Sequence, residues 1–363
     1  VAVKANKHLS LIAPAVHGSV SLEELSGFGS PKEGMLDFSV SANPYGPPPS
    51  VLEAIKAVDI SLYPDQRAGP LRRAIAEKYN VSIENVWAGN GSSELILLAA
   101  LAYLSPGEVA YVVGPTYGEY ERASQIAGAE IKPYTAKAQD GFVVDMDAVA
   151  EEIRTIRPKT VFICNPNNPT SQYIDPDRLL NLADQFDDTL FIIDEAYISF
   201  TASGESCIGK GIKDNLLVLR SMTKDYALTG LRLGYALGCE DVIDALSKIA
   251  PPWSVNSMAQ AAGIAALEDT EYLEHSIKGI AEAKEYLWNA LLSAGLKVYP
   301  SAANFFLVEV GEASEVRSNL MSKGICVRDC SSFGLPQFIR IGVRTMPECE
   351  RLVEAMKEVL AEG

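Results

Sequence analysis

The sequence is short of positive charge. Its 31 lysines and arginines face 47 aspartates and glutamates, a formal net charge of −16. A nucleic-acid partner needs a basic face for phosphates, so none is expected. Long hydrophobic runs are missing too. The longest, Leu95 to Leu104, is ten residues, whereas a membrane-spanning helix needs ~20. The six cysteines (Cys164, Cys207, Cys239, Cys326, Cys330, Cys349) form no Cys-x-x-Cys pair and are too sparse for a disulfide framework. No charged-then-apolar leader with a small-residue cleavage site opens the chain. Internal repeats and low-complexity tracts are absent as well. The expectation is a soluble, reduced, cytoplasmic protein with no membrane contact.

What is present suits a large folded core. The 363 residues are 48% hydrophobic and 21% charged, which suggests about two domains at ~150 residues each. Residues 1–40 read as an N-terminal arm with one short helix, Ser21 to Phe28. Ser41 to Pro49 is a loop, with four prolines in its last six residues. Helical periodicity follows from Leu71 to Tyr79. Then short apolar runs alternate with helical patterns. Val109–Val113, Thr160–Cys164, Leu190–Asp194, Leu216–Leu219 and Gly234–Gly238 read as buried strands. Val144–Ile156 and Pro176–Phe186 read as amphipathic helices between them. This alternation predicts an α/β fold whose large domain, residues 41–250, holds a mainly parallel sheet between helices. After Pro251-Pro-Trp253, one long helical stretch from Asn256 to Ala294 and the strands Asn304–Val308, Ile325–Arg328 and Phe338–Val343 predict a smaller α/β domain, residues 251–363. The arm is expected to pack with it.

Six local features carry chemistry. Gly89-Asn-Gly-Ser-Ser-Glu94 precedes a helix whose free N–H groups can bind an anion. It reads equally as a capped helix with Ser92 or Ser93 at the N-cap. Cys164-Asn-Pro-Asn-Asn-Pro-Thr170 is a stiff polar loop at a strand's C-terminal edge, where open α/β sheets place ligands; the alternative is an ordinary turn. Asp194-Glu-Ala-Tyr197 ends an apolar strand with a carboxylate, costly unless paired with a cation or protonated ring nitrogen; a helix-capping Asp is the other reading. Arg220-Ser-Met-Thr-Lys224 sets two hydroxyls around a lysine, with Arg232 in Gly-Leu-Arg-Leu-Gly-Tyr downstream. Hydroxyls and a guanidinium bind phosphate, and a lysine beside them can form a Schiff base. Tyr117 in Pro-Thr-Tyr can stack on a flat ring. Arg340, inside an apolar strand, implies a bidentate anion or a structural ion pair.

Taken in order, these motifs resemble the class I/II aminotransferases, the fold-type I pyridoxal phosphate enzymes, from Ser41 to the C-terminus. The resemblance implies a seven-stranded-type sheet in the large domain and pyridoxal 5'-phosphate as cofactor. It makes Lys224 the Schiff-base lysine and pairs Asp194 with the pyridine nitrogen. It puts Asn168 and Tyr197 at the ring phenolate, Gly91, Ser92, Ser93, Ser221, Thr223 and Arg232 around the phosphate, and Tyr117 on the ring. Arg340 takes a substrate carboxylate. Tyr63, in Leu-Tyr-Pro-Asp, reaches the phosphate from the partner subunit of a homodimer. Ser171 departs from the pattern, standing where the family usually has glycine.

Two branches fit: threonine-phosphate decarboxylase of cobalamin synthesis and histidinol-phosphate aminotransferase. His17-Gly18, Leu36–Pro44, Arg220–Lys224, Pro252–Asn256 and Arg344 resemble the decarboxylase more, which makes that activity the first expectation and the aminotransferase its alternative. Either acts on a small phosphorylated amino compound, with His17, Asn43, Asn168, Arg328 and Arg340 as substrate contacts. His17 reads equally as an arm residue without a role. A third possibility, a non-catalytic cofactor-sensing regulator, lacks the DNA-binding extension it would need. No metal ligand set stands out.

Overall fold

A computed structural model of the chain describes Val3, Leu9, Ile12, Gly18 and residues 34–362 except Ser203. The expected helix Ser21–Phe28 and His17 lie outside these residues.

The large sheet has seven strands: β2 (Val86–Gly89), β3 (Val109–Gly114), β4 (Glu130–Thr135), β5 (Thr160–Cys164), β6 (Leu190–Asp194), β7 (Leu216–Ser221) and β8 (Gly234–Gly238). Their order is β2-β8-β7-β6-β5-β3-β4. The pairs from β4 to β7 are parallel, and β8 runs antiparallel to both its neighbours. Side chains alternate along each central strand, so each feeds two cores. Val161, Ile163, Phe191, Ile193 and Val218 pack on one face, while Phe162, Ile192, Leu217, Leu219 and Ala236 pack on the other. Burial on both faces is why these strands read as unbroken apolar runs. The edge strand β4 escapes that pattern. Its Glu-Ile-Lys-Pro-Tyr-Thr is mostly exposed, and Pro133, which cannot donate to a ladder, is tolerated at an edge.

Eleven α-helices are described. The first, α1 (Pro49–Lys56), begins inside the expected loop because Pro49 suits a first helical turn. α2 (Gly69–Tyr79), α5 (Met146–Ile156), α6 (Pro176–Ala183) and α8 (Ser257–Glu268) cover one face of the sheet; α3 (Ser92–Tyr103), α4 (Glu119–Ile126) and α7 (Glu240–Ile249) cover the other. The expected single helix from Asn256 to Ala294 is two. Asp269 leaves helical geometry and accepts the Tyr272 N–H at 3.3 Å as N-cap of α9 (Thr270–Ser293). The expected boundary at 250 puts α8 with the smaller unit, yet its Ala259, Ala262 and Ala266 pack into the core of the large sheet.

The smaller unit is a four-stranded antiparallel sheet in the order β12 (Arg328–Asp329), β13 (Phe338–Gly342), β10 (Phe305–Glu309), β9 (Lys297–Val298). It packs with α9, α10 (Ala313–Ser322) and α11 (Met346–Glu362). The expected strand Ile325–Arg328 is divided: β11 (Ile325–Cys326) pairs with β1 (Leu36–Asp37), and β12 joins the sheet. No described helix is long and apolar enough to cross a membrane.

Candidate active site

The topology brings the chemical motifs to one edge. Strands β3, β5, β6 and β7 are parallel, so Gly114, Cys164, Asp194 and Ser221 all end on the same side. Because β8 is antiparallel, its first residue Gly234 pairs with Ser221, and β2 ends beside it with Gly89. The start of α3 and the loop carrying Arg232 therefore arrive at that edge too. The small sheet closes the space with Arg328 and Arg340.

Between them lies a cavity of about 340 Å³ lined by Ser92, Ser93, Tyr117, Asn168, Asp194, Tyr197, Ser221, Thr223, Lys224, Arg232, Arg328 and Arg340. Twelve expected site residues thus meet. Lys224 Nζ stands 6.0 Å from the Tyr197 ring centre and makes no hydrogen bond among the described residues. Burial, then the charges of Arg340 and Arg232, push its amine down to about 8. Asp194 is buried; its Oδ1 accepts the Ala196 N–H at 3.0 Å and its Oδ2 accepts the Tyr120 hydroxyl at 2.8 Å. Burial raises its carboxyl to about 6 against those two hydrogen bonds. Tyr197 is buried edge-on to Phe305, and burial lifts its phenol above the ordinary value.

One end of the cavity is an anion cradle. Ser92 and Ser93 are not N-caps, as the capping alternative had them, but the first two residues of α3. Gly91 holds the N-cap position, and no side chain caps the helix, so its N–H groups are left for a ligand. A Cβ at Gly91 would come within 2.8 Å of Arg232 Nη2, and one at Gly234 within 2.6 Å of the Ser92 nitrogen. Ser221 Oγ and Thr223 Oγ1 lie 2.7 Å apart. Arg232 itself sits at φ +58°, an unfavourable backbone for a non-glycine residue that persists when surroundings enforce it. This donor set fits a phosphate, and a buried carboxylate with a low-pKa lysine fits a protonated ring nitrogen and a carbonyl.

At the other end, Arg340 donates through Nη1 to Asn168 Oδ1 and through Nη2 to the Ser39 carbonyl at 2.6 Å, with Nε unpartnered among the described residues. Arg328 donates to Ser332 Oγ at 2.7 Å and lies over Phe333.

The model for aminotransferase class I and II matches residues 33–356. The chain belongs to the class I and II aminotransferase family. Its cofactor is pyridoxal 5'-phosphate. It is 35% identical to the histidinol-phosphate aminotransferase of Haloarcula marismortui over 337 residues, covering 92% of each chain. It is 38% identical to histidinol-phosphate aminotransferase 1 of Carboxydothermus hydrogenoformans, covering 90% of this chain and 93% of that one. The fold is that of the histidinol-phosphate aminotransferase of Sinorhizobium meliloti in complex with pyridoxal-5'-phosphate, at TM-score 0.89 and 24% identity, covering 100% and 99%.

Two expected residues are placed elsewhere. Asn43 does not line the cavity. Its side-chain amide donates to the Asp225 carbonyl (2.9 Å) and Ser276 Oγ (2.8 Å), and its backbone N–H donates to the Lys224 carbonyl (2.7 Å). It braces the lysine loop. Tyr63 lies outside its own chain's cavity, 82% exposed and packed on Trp253. Sequence reasoning missed Tyr120, Cys164, Thr229, Ser39 and Phe333, all in the wall. Tyr120 lay within reach: it follows Tyr117 by three residues, just inside the start of α4, and the two rings pack 5.7 Å apart. Arg220 turns away from the cavity into a buried pair with Glu195 at 3.6 Å.

Proposed function

We propose that this aminotransferase moves the amino group of a phosphorylated amino compound, histidinol phosphate, to a 2-oxo acid. The observation that carries it is the single cavity with an anion cradle at one end, two arginines at the other, and Lys224 and Asp194 between. The relatives' names direct the choice of substrate. They favour transamination over the threonine-phosphate decarboxylation that the sequence first suggested. The motifs behind that expectation place the same residues in either case, because the two activities differ by rotation about one substrate bond.

The cofactor, when bound through Lys224, supplies an electron sink for bonds at the substrate's amino carbon. The chain's residues do the rest. Ser92, Ser93, Ser221, Thr223 and Arg232, with the N–H groups after Gly91, hold the cofactor phosphate. Asp194 keeps the ring nitrogen protonated, and Tyr120 orients that carboxylate. Tyr117 covers the ring face; Asn168 and Tyr197 hydrogen-bond the ring oxygen. Lys224, with its lowered pKa, takes and returns the proton at the amino carbon. Arg340 and Arg328 grip the substrate phosphate in one half-reaction and an oxo-acid carboxylate in the other. A homodimer that lends Tyr63 across its interface completes the phosphate site.

The test is a product analysis by mass. Purified protein with histidinol phosphate and 2-oxoglutarate should yield glutamate and the matching phosphorylated ketone. Carbon dioxide and aminopropanol phosphate from threonine phosphate, without amino transfer from histidinol phosphate, would reverse the reading.

A further inference from the structure

A second cavity, of about 850 Å³, lies away from the active site. One wall is a face of α9, where Ile277, Ile280, Ala281, Lys284, Glu285 and Trp288 recur at helical spacing. The rest of the lining includes Pro300–Asn304, Phe306, Tyr173 and Phe200. Trp288 and Phe306 rings pack 5.6 Å apart.

One cation stands in this apolar wall. Lys284 Nζ donates to the Ser301 carbonyl at 2.7 Å and lies 5.9 Å from the Phe306 ring centre. No carboxylate among the described residues comes within ion-pair distance of it. Glu285 also lines the cavity but is exposed at its rim. Burial alone lowers the Lys284 amine to about 8. A long flexible side chain held in apolar surroundings without a counter-ion is unfavourable for folding. A ligand carrying one negative charge on an apolar body reverses both costs.

We propose that this cavity is a second binding site for a small amphipathic monocarboxylate, aromatic or branched, whose carboxylate pairs with Lys284 while its apolar part lies against Trp288, Phe306 and Phe200. The site is placed to speak to the active site. The Ala302 N–H donates to the Ser171 carbonyl at 3.0 Å, three residues from Asn168, and Phe200 is three residues from Tyr197. Occupancy therefore bears on both segments that hold active-site side chains.

The experiment titrates holoenzyme with 3-phenylpropionate by calorimetry, with 3-phenylpropionamide as the neutral control. The acid should bind saturably and the amide at least about tenfold more weakly. Lys284→Met and Lys284→Gln should each weaken the acid about tenfold or more, with cofactor absorbance unchanged. Ala281→Trp, which fills the cavity while keeping the lysine in the sequence, should abolish binding. Arg340→Ala, which removes a carboxylate site in the first cavity, should leave it intact. No saturable binding to the parent enzyme, equal affinity for acid and amide, binding that survives Lys284→Gln and Ala281→Trp, or binding lost in Arg340→Ala would each overturn the proposal.

Discussion

Arg328 and Arg340 stand directly opposite one another in the β12–β13 ladder, and both are buried. Like charges facing across a strand pair cost roughly 0.2–1 kcal/mol. Burial, then the charge of Arg340, lowers the pKa of Arg328. An anion lying between them turns this repulsion into attraction. Arg328→Met relieves this repulsion and removes the Ser332 contact, and its decisive effect should be on substrate binding. The KM for histidinol phosphate should rise about tenfold or more with kcat much less affected, as for a contact made equally before and during reaction. The thermal stabilisation given by inorganic phosphate should fall with it. A large drop in unliganded stability with KM unchanged would make Arg328 a structural residue.

Lys224 gives a pH signature. Its amine titrates near 8 in the fold against an ordinary 10.5. Between those values the unfolded chain holds a proton that the native protein has released, so stability of the cofactor-free protein should rise with pH across that window. Only the neutral amine attacks a carbonyl. Cofactor attachment should accelerate from pH 7 to 9 and then level off, followed by absorbance after rapid mixing. Lys224→Met should remove this part of the stability slope and all covalent attachment. Since Lys284 titrates in the same range, the difference between parent and Lys224→Met is the quantity to read.

Asp194 and Tyr120 separate chemistry from folding. A carboxyl raised to about 6 from 3.8 means that native protein keeps a proton the unfolded chain loses, so cofactor-free stability falls as pH rises from about 4 to 6. Asp194→Asn should remove that fall, fold normally, hold cofactor more weakly and lose most turnover. Tyr120→Phe should keep the fold and lower kcat by about tenfold, one charged hydrogen bond of ~1.5 kcal/mol, while shifting the pH dependence of the bound cofactor's absorbance. An unchanged spectrum with lowered activity would place Tyr120 in packing alone.

Much of this site was legible because its residues sit in short local patterns at strand ends. Lys224, Asp194, Asn168 and Arg232 each follow an apolar strand or loop closely enough for spacing to point at them. What was not legible depends on distant pairing. Nothing within Gly234–Gly238 tells that the strand runs antiparallel, though that direction delivers Arg232 to the cavity. The edge strand Glu130–Thr135 lacks an apolar run because water covers it. Asn43 sits in a polar, proline-rich loop like a ligand residue, but Asp225 and Ser276, 182 and 233 residues away in sequence, take its amide. The helix break at Asp269 hid in a stretch with good helix formers on both sides.

Ser171 occupies a backbone that glycine prefers, φ +54°. Its hydroxyl donates to the Thr170 carbonyl at 2.7 Å, and its own carbonyl ties the loop to Ala302. Ser171→Gly should come out within ~1 kcal/mol of the parent. Relief of ~1–2 kcal/mol of left-handed strain is set against a lost hydrogen bond and a freer unfolded chain. Ser171→Ala keeps the strain and loses the hydrogen bond, and should cost ~1 kcal/mol. Ser171→Val should cost more than either, since a branched side chain is least compatible with positive φ. Denaturant melts of the three variants give the ranking, and Gly as the worst of them would show that the hydroxyl, not the backbone angle, governs this position.

Tyr63 lies in an exposed apolar cluster with Ile60, Leu62 and Trp253. A group of large apolar side chains open to solvent marks an interaction surface, and the resemblance assigns it to a second copy of the chain. In a two-fold dimer the same patch meets itself, so each subunit can lend Tyr63 to the other's phosphate cradle. Lys224→Ala and Tyr63→Ala proteins should both be nearly inactive alone. In a hybrid of the two, one site has both lesions and the other has neither. With equal mixing and full exchange, half the dimers are hybrids with one intact site of two, so about a quarter of parental activity should return. Exchange is checked by tagging one variant and recovering the other with it, and dimer mass by sedimentation. Demonstrated exchange without recovered activity would leave Tyr63 acting within its own chain. A monomer by sedimentation would remove the shared site altogether.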